Sequence, residues 1–524
     1  MKKLLYWIAI GILAVGCKKE PENDAVSSPK TVVRTVGPIA FDSSKVIRYK
    51  YKPLLNFYRL NDYHTFWENE AKRKNALLVL ADSYKLGFDP EFYGITRLNS
   101  FEKRYKTLID AERVTYDILL TYSLRSYLAH VYEGQCDVRK LNLNWAIYRH
   151  TKPITDLMLG GIKGDSLSKV IRFLEPKHPV YKGLIKALAM IDALPASDFK
   201  TIRIDGRIRR GDSVAVVSEV KKRLIFWGDL SAKANTSAFF NSQTIRALWR
   251  FQKRHGLPVT GSLTKATVEA LNCKPSVRRK QIVVNIERWR WFPHSMDGQY
   301  VIVNIPDYSL YLIKDKDTLD SRKVVVGKAE RSTPVLTSTF NEIILNPTWT
   351  VPPTIIKEDL GPDAAKDTNY FKNHRLTIYD WKKKLVSPSK WDATKPNDYY
   401  YVQDPGSDNS LGNVKFNFPN NFMVYLHDTN HRDYFSYHKR SLSSGCVRVE
   451  NPLPLAQQLI NDEQWTLDKI NEVVVTKETT SVKLKDKIKI YQLYWTAWLN
   501  NKGQIEFRED IYNLDEPLYA ALRK

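Results

Sequence analysis

Two short passages hold the residues whose types and spacing can support covalent chemistry: Val424-Tyr425-Leu426-His427-Asp428-Thr429 and Ser443-Ser444-Gly445-Cys446-Val447-Arg448-Val449. A thiol is a strong nucleophile only once ionised, and its ordinary pKa of about 8.5 leaves a small thiolate fraction at neutral pH. An imidazole within hydrogen-bond reach removes that limit. His427 closes a run with β character, and Cys446 follows a turn of small residues a short way on. Neighbouring elements joined in this way can bring the two side chains face to face. Gly445 lets backbone crowd the thiol, and N–H groups on that turn could hold the oxyanion of a tetrahedral intermediate. Each residue alone has a plainer reading: a lone cysteine is usually a small buried hydrophobe, and a histidine beside an aspartate a hydrogen-bonded structural group. Together they point to nucleophilic acyl transfer. The sequence holds no His-Glu-x-x-His and no Cys-x-x-Cys, and Gly327-Lys328 lacks the flanking residues of a phosphate loop. No metal and no cofactor is expected.

The elements that must position this pair read mainly as strands. From Gln281 the spacing of apolar residues changes: Ile282-Val283-Val284-Asn285-Ile286, Tyr300 to Ile305, Leu310 to Ile313 and Lys323 to Val326 are β-rich runs separated by Pro, Asp and Gly. Glu342 to Leu345 and Phe422 to Leu426 continue the series. They predict a mainly β catalytic domain over 281–480. Its stretch 354–409 is polar, aromatic and weakly periodic, and is expected to form an inserted cap rather than a structureless loop. Tyr425 precedes His427 by two, so on a strand both face the same way, and Tyr425 either aids an oxyanion hole or packs. Arg448 either attracts a substrate carboxylate or forms a structural ion pair. Trp349 and Tyr399-Tyr400-Tyr401 either line the cleft or pack, and His431, Arg432 and His438 are expected at the surface. Residues 485–524 are expected to pack on the body as a C-terminal segment.

Upstream, 46–200 reads as a helical scaffold. Leu54, Leu55 and Tyr58, then Leu77, Leu78, Leu80, Ala81 and Tyr84, recur at helical spacing. Residues 203–273 predict a smaller three-helix unit. Val214, Val217, Val220 and Leu224 fall on one helix, Ile245, Leu248 and Phe251 on a second ending at Gly256, and Leu263, Val268 and Leu271 on a third. At the N-terminus Lys2-Lys3 precede an apolar run from Leu4 to Val15, short of the roughly 20 residues that span a bilayer. The run ends in Leu13-Ala14-Val15-Gly16-Cys17, which resembles a lipobox. Residues 1–16 are therefore expected to be a lipoprotein signal peptide, Cys17 the lipidated residue, and 17–45 a tether. Lys and Arg number 81 against 57 Asp and Glu, and the resulting charge of +24 suits an anionic partner. With no zinc-finger spacing, RRM-type run or continuous basic helix, nucleic acid is not expected. Four cysteines are too few for a disulfide scaffold, and whether Cys136 and Cys273 pair stays open.

Taken together, these motifs resemble the L,D-transpeptidase family, in its large branch with a scaffold domain, a peptidoglycan-binding domain and a capped catalytic domain. The family pattern is a histidine followed by Ser/Thr-His-Gly-Cys; Ser444 replaces the second histidine here, as it does in the large branch. Ile286 to Trp291, Val325 to Lys328, Asn346 to Pro353, Gln403 to Gly406, Lys415 to Asn420 and Thr496 to Trp498 are similar to the same branch. Arg210-Gly211-Asp212, Phe251-Gln252, Gly256-Leu257 and the stretch from Gly261 to Leu271 resemble the peptidoglycan-binding domain, with Thr260 where aspartate is usual and Leu230 to Phe240 as an insertion. The resemblance implies a periplasmic, lipid-anchored enzyme acting on peptidoglycan stem peptides. Cys446 would form a thioester, His427 would act as base and acid, and the backbone carbonyl of Asp428 would orient the imidazole. Ser444 and Gly445 would shape the oxyanion hole, and a 3→3 cross-link would result. An L,D-carboxypeptidase and a non-catalytic wall-binding lipoprotein are the alternatives.

Overall fold

The computed structural model describes residues 36–138, 145, 151–196 and 199–523. The expected signal peptide, Cys17 and the first part of the tether lie outside them. The N-terminal body is helical. Its longest helix, Asp110–Glu133, is buried along most of its length and packs against Glu70–Ala81 and Ile154–Lys163. Asp117 inside it is fully enclosed, and accepts from the Tyr58 hydroxyl (2.5 Å) and from the N–H groups of Phe66 and Trp67 (both 2.7 Å). A buried carboxylate is tolerated where its oxygens are so occupied, and here it fixes how the first helices enter the scaffold.

The run Ile282-Val283-Val284-Asn285-Ile286 is not a strand. It lies in a helix, Pro275–Arg290, whose residues from Gln281 onward are all buried. Pro275 suits the first turn, where no N–H partner is needed. The helix packs against Pro179–Asp192, Asp515–Leu522 and the 497–499 strand, so its second half has no face toward solvent and the helical period disappears from the sequence. Its polar members are all engaged. Asn285 Nδ2 donates to Gln281 O and Thr496 Oγ1, Arg288 pairs with Asp515 at 2.6 Å, and Glu287 pairs with Arg290 and accepts from the N–H groups of Gln135 and Cys136.

Three helices, Val216–Phe226, Ser242–Arg254 and Lys265–Asn272, build the small unit as the sequence predicts. Gln252 organises its turn: Oε1 accepts from the N–H groups of Thr260 and Gly261, while Nε2 donates to Ser262 O. Gly261 has φ +70°, and a Cβ there would lie 2.5 Å from the Trp249 indole nitrogen, so glycine is required. The unit is fastened to the body by Arg254, which pairs with Asp229 and donates to Ile505 O.

The catalytic region is an 11-stranded sheet with a small helical complement. Its strands are β1 (Gln299–Asn304), β2 (Ser309–Lys314), β3 (Asp317–Gly327), β4 (Leu336–Thr339) and β5 (Glu342–Leu345). An insertion then carries β6 (Trp349–Thr350), β7 (Leu376–Asp380), β8 (Leu385–Val386) and β9 (Tyr399–Gln403) as a separate four-stranded sheet. The main sheet resumes with β10 (Val414–Asn417), β11 (Leu426–His427), β12 (Ser441–Ser443), β13 (Val447–Val449), β14 (Thr480–Lys483) and β15 (Lys489–Leu493). Its order is β14-β5-β10-β11-β13-β3-β2-β1-β15-β4, with β12 beside β3. β15 pairs parallel to β1 and antiparallel to β4, so the segment expected only to pack on the body supplies an interior strand. A hairpin of β16 (Ala497–Leu499) and β17 (Ile505–Phe507) follows.

The expected strand from Phe422 to Leu426 shrinks to Leu426–His427. Asn420 is the reason: its Oδ1 accepts from Phe422 and Val424 N–H and its Nδ2 donates to Val424 O, so these backbone groups are taken from any ladder. The insertion is a cap with its own core of Val351, Ile356, Leu360, Phe371, Ile378 and Tyr401. Its first helical stretch includes a π-helical turn, Ile356–Leu360.

Candidate active site

Alternation in three adjacent strands sets the site. Val414, Phe416, Leu426, Val447 and Val449 face the main core, so the residues between them point the other way, beneath the cap. One row of register partners crosses that face: Ile344, Lys415, His427, Arg448, Val325. Val447 N–H donates to Tyr425 O at 3.2 Å, which extends the β11–β13 pairing by one and sets Tyr425 beside Cys446. Cys446 and His427 are thus diagonal neighbours on one face. Both line a cavity of about 850 Å³ whose wall includes Trp349, Pro352, Ile355, Tyr399 and Tyr400. Tyr401 turns into the cap core instead.

The nucleophile's turn is tightly held. Thr333 Oγ1 donates to Gly445 O and accepts from Gly327 N–H, both at 2.8 Å. Ser443 Oγ donates to Cys446 O (2.6 Å) and accepts from Gly445 N–H (3.2 Å). The Gly445 amide, expected in the oxyanion hole, is therefore occupied, whereas the amides of Ser444 and Cys446 have no acceptor among the described residues. Gly445 has φ +115°, a conformation strained for other residues. Gly327 meets the Arg331–Thr333 loop closely: a Cβ there would stand 2.2 Å from Arg331 O. Arg331 Nη1 donates to Ser444 Oγ (2.9 Å) and to Asp359 on the cap (2.6 Å), and the same guanidinium pairs with Glu358. Ser444 is thus tied to the cap as well as to the turn.

Cys446 is partly accessible from the cavity while protein encloses it elsewhere, and that enclosure raises its pKa. Hydrogen bonds from the Tyr425 backbone and hydroxyl, and the charges of Lys415 and Arg448, act in the opposite sense by favouring thiolate. Tyr425 and Trp349 line the same cavity as the thiol. His427 is buried, and its pKa is pushed down to about 3, first by burial and then by Arg448. The Asp428 backbone carbonyl favours the protonated ring, yet no partner satisfies hydrogen-bond geometry at the buried Nδ1. The Asp428 side chain is structural: Oδ2 accepts from Asn413 N–H and from Arg432 at 2.9 and 2.8 Å. Among the described residues Arg448 has no ion pair; it donates to Thr429 Oγ1 at 3.4 Å and lies over the Tyr434 ring. His431 stacks on Tyr434, and His438 meets Gly256 O of the small helical unit at 2.8 Å.

Lys415, Thr333 and Arg331 escape a reading of the sequence as site residues. For Lys415 a cue exists: it is the polar residue between Val414 and Phe416, on the strand paired to His427. Thr333 and Arg331 lie on a loop distant in sequence from the nucleophile and carry no such cue. Cys136, Cys273 and Cys446 are all free thiols. Among the described residues no group of three or more His, Cys, Asp or Glu side chains is arranged to hold a metal ion.

Comparison with known families matches the sequence in three parts: "L,D-transpeptidase catalytic domain" over 298–476, "Scaffold domain" over 52–188 and "Putative peptidoglycan binding domain" over 213–271. The chain belongs to the L,D-transpeptidase family. This family member is 35% identical over 266 residues to a Haemophilus influenzae protein named "Putative L,D-transpeptidase", a match covering 49% of this chain and 54% of the relative. It thus spans about half the length of that relative. Among solved structures it is similar to an L,D-transpeptidase from Stackebrandtia nassauensis (14% identity, TM-score 0.22, 57% of this chain and 97% of that one). Another is the L,D-transpeptidase of Xylanimonas cellulosilytica (14%, TM-score 0.18, 56% and 99%). Scores this low carry no argument about domain arrangement or activity.

Proposed function

We propose that this protein is a cell-envelope L,D-transpeptidase that joins peptidoglycan stem peptides through a thioester on Cys446. The carrying observation is the placement of His427 and Cys446 on one sheet face at the floor of a capped cavity, with Tyr425 beside the thiol. His427 takes the thiol proton as the sulfur attacks the carbonyl between the third and fourth residues of a donor tetrapeptide. The carbonyl oxygen becomes an oxyanion, met by the Cys446 amide. Collapse breaks the amide bond, the proton passes from His427 to the departing D-alanine amine, and a thioester remains. The side-chain amine of a diamino acid on a second stem then attacks, losing a proton to His427. That proton returns to the sulfur as the 3→3 bond forms. A thiol–imidazole pair needs no cofactor for these steps.

The test is incubation of the purified protein with tetrapeptide muropeptides. Release of D-alanine with 3→3 dimers is expected from the parent and neither from Cys446→Ala. Tripeptide without dimer would instead identify an L,D-carboxypeptidase, and wall binding without turnover would identify a non-catalytic lipoprotein. The lipobox-like ending supports a lipid anchor at Cys17 and a periplasmic location. Retention of Cys17→Ser in the membrane fraction would sink the anchor.

A further inference from the structure

Two cations flank the catalytic imidazole. Lys415 and Arg448 are the register partners of His427 on its two sides, and both line the cavity. The Lys415 ammonium lies 4.1 Å from the centre of the Tyr425 ring. Arg448 reaches only a threonine hydroxyl and an aromatic face, and its Nε has no acceptor. Among the described residues no carboxylate pairs with either. Glu342, whose charge is felt at Lys415, gives its oxygens to Ser481 and Asn417.

A cation withdrawn from water without a counter-charge is unfavourable, and such a group in a cleft marks a place where a ligand brings the charge. The thiolate does so only in passing, because both the resting thiol and the thioester are neutral. A lasting anion must come with the substrate. In the donor the leaving residue carries one: its α-carboxylate is separated from the scissile carbonyl carbon only by the amide nitrogen and one α-carbon. A carbonyl held at Cys446 brings that carboxylate into the cavity that Lys415, Tyr425 and Arg448 also line.

We propose that Lys415, assisted by Arg448, forms an anion subsite that reads the free α-carboxylate of the residue leaving the donor. This rests on the transpeptidase reading above and deepens it: Lys415 selects donors in which the residue beyond the scissile bond is the last. Selection of this kind is strong where a site's own polar group would otherwise stay unpaired.

The experiment compares a disaccharide tetrapeptide with its C-terminal carboxamide, using the full chain and no acceptor, and reads acyl-enzyme formation by intact mass as kcat/KM. The free acid is expected to be preferred by about tenfold or more. In Lys415→Met the acid-to-amide ratio should collapse toward one, chiefly through KM, and Lys415→Arg should restore it. Equal rates for both donors in the parent overturn the subsite, as does an unchanged ratio in Lys415→Met. A fall on both donors by one factor, with a shifted pH profile for iodoacetamide alkylation of Cys446, also overturns it, because Lys415 would then serve the thiolate alone. Failure of the parent to acylate with either donor overturns the transpeptidase reading, and the subsite with it.

Discussion

Replacing Arg331 with methionine should loosen the cap and let water compete with the acceptor amine. Arg331 is 11% exposed and reaches two cap carboxylates, Glu358 and Asp359, that are 50% and 46% exposed. Pairs with partners so open to solvent are worth about 0.2–1 kcal/mol each, far below what the contact distances alone suggest. The two together hold the cap by about 0.4–2 kcal/mol, a factor of roughly 2–30 in the ratio of closed to open forms. Arg331→Met should therefore raise hydrogen exchange in cap residues 353–364 by a factor in that range, leaving the main sheet unaltered. The same factor should appear in the partition of the thioester, with tripeptide growing at the expense of dimer, because exclusion of water depends on closure. Ser444→Ala serves as the control, since it removes the link from Arg331 to the turn and spares the link to the cap. Unchanged cap exchange in Arg331→Met, or an unchanged ratio of hydrolysis to transfer, would refute the reasoning.

Thr333→Val leaves the Gly327 N–H and Gly445 C=O without their partner, at a cost of about 2–4 kcal/mol. A lower denaturation midpoint and slower acylation are expected, with Thr333→Ser close to the parent. Burial and Arg448 hold His427 neutral down to about pH 3, so acylation should rise with pH as Cys446 ionises, with no break near 6.5. The same depression makes the unfolded chain take up the proton first, so folded stability should fall as pH drops from 6.5 toward 3. His427→Gln should lessen that slope in urea midpoints, and should keep the fold while losing acylation. After incubation with a carbapenem, an acylating β-lactam, intact-mass and peptide mapping should place a stable adduct on Cys446. An adduct on Cys136 or Cys273 would argue against the assignment.

How much of this was legible in the sequence follows from which residues have one face to hide. β2 and β5 alternate because one side meets the core and the other does not, and they could be read directly. The Pro275–Arg290 helix has no exposed side over its second half, and its Val and Ile content imitates a strand. Cys446 and His427 were legible as chemistry because thiol, imidazole and glycine-bearing turn occur together. The Gly445 amide was misjudged, since its use by Ser443 is a matter of local geometry that residue type does not reveal. Arg331 and Thr333 were invisible because their work depends on a loop returning to the turn from far along the chain.

The position of β15 sets an order of assembly. A chain made from its N-terminus has β1 and β4 early, yet the place between them stays vacant until Lys489–Leu493 arrives, after every other strand of that sheet. The sheet that aligns thiol with imidazole is thus completed by its last strand in chain order. A polypeptide cut short before that strand would carry every catalytic side chain and still lack the frame that aims them.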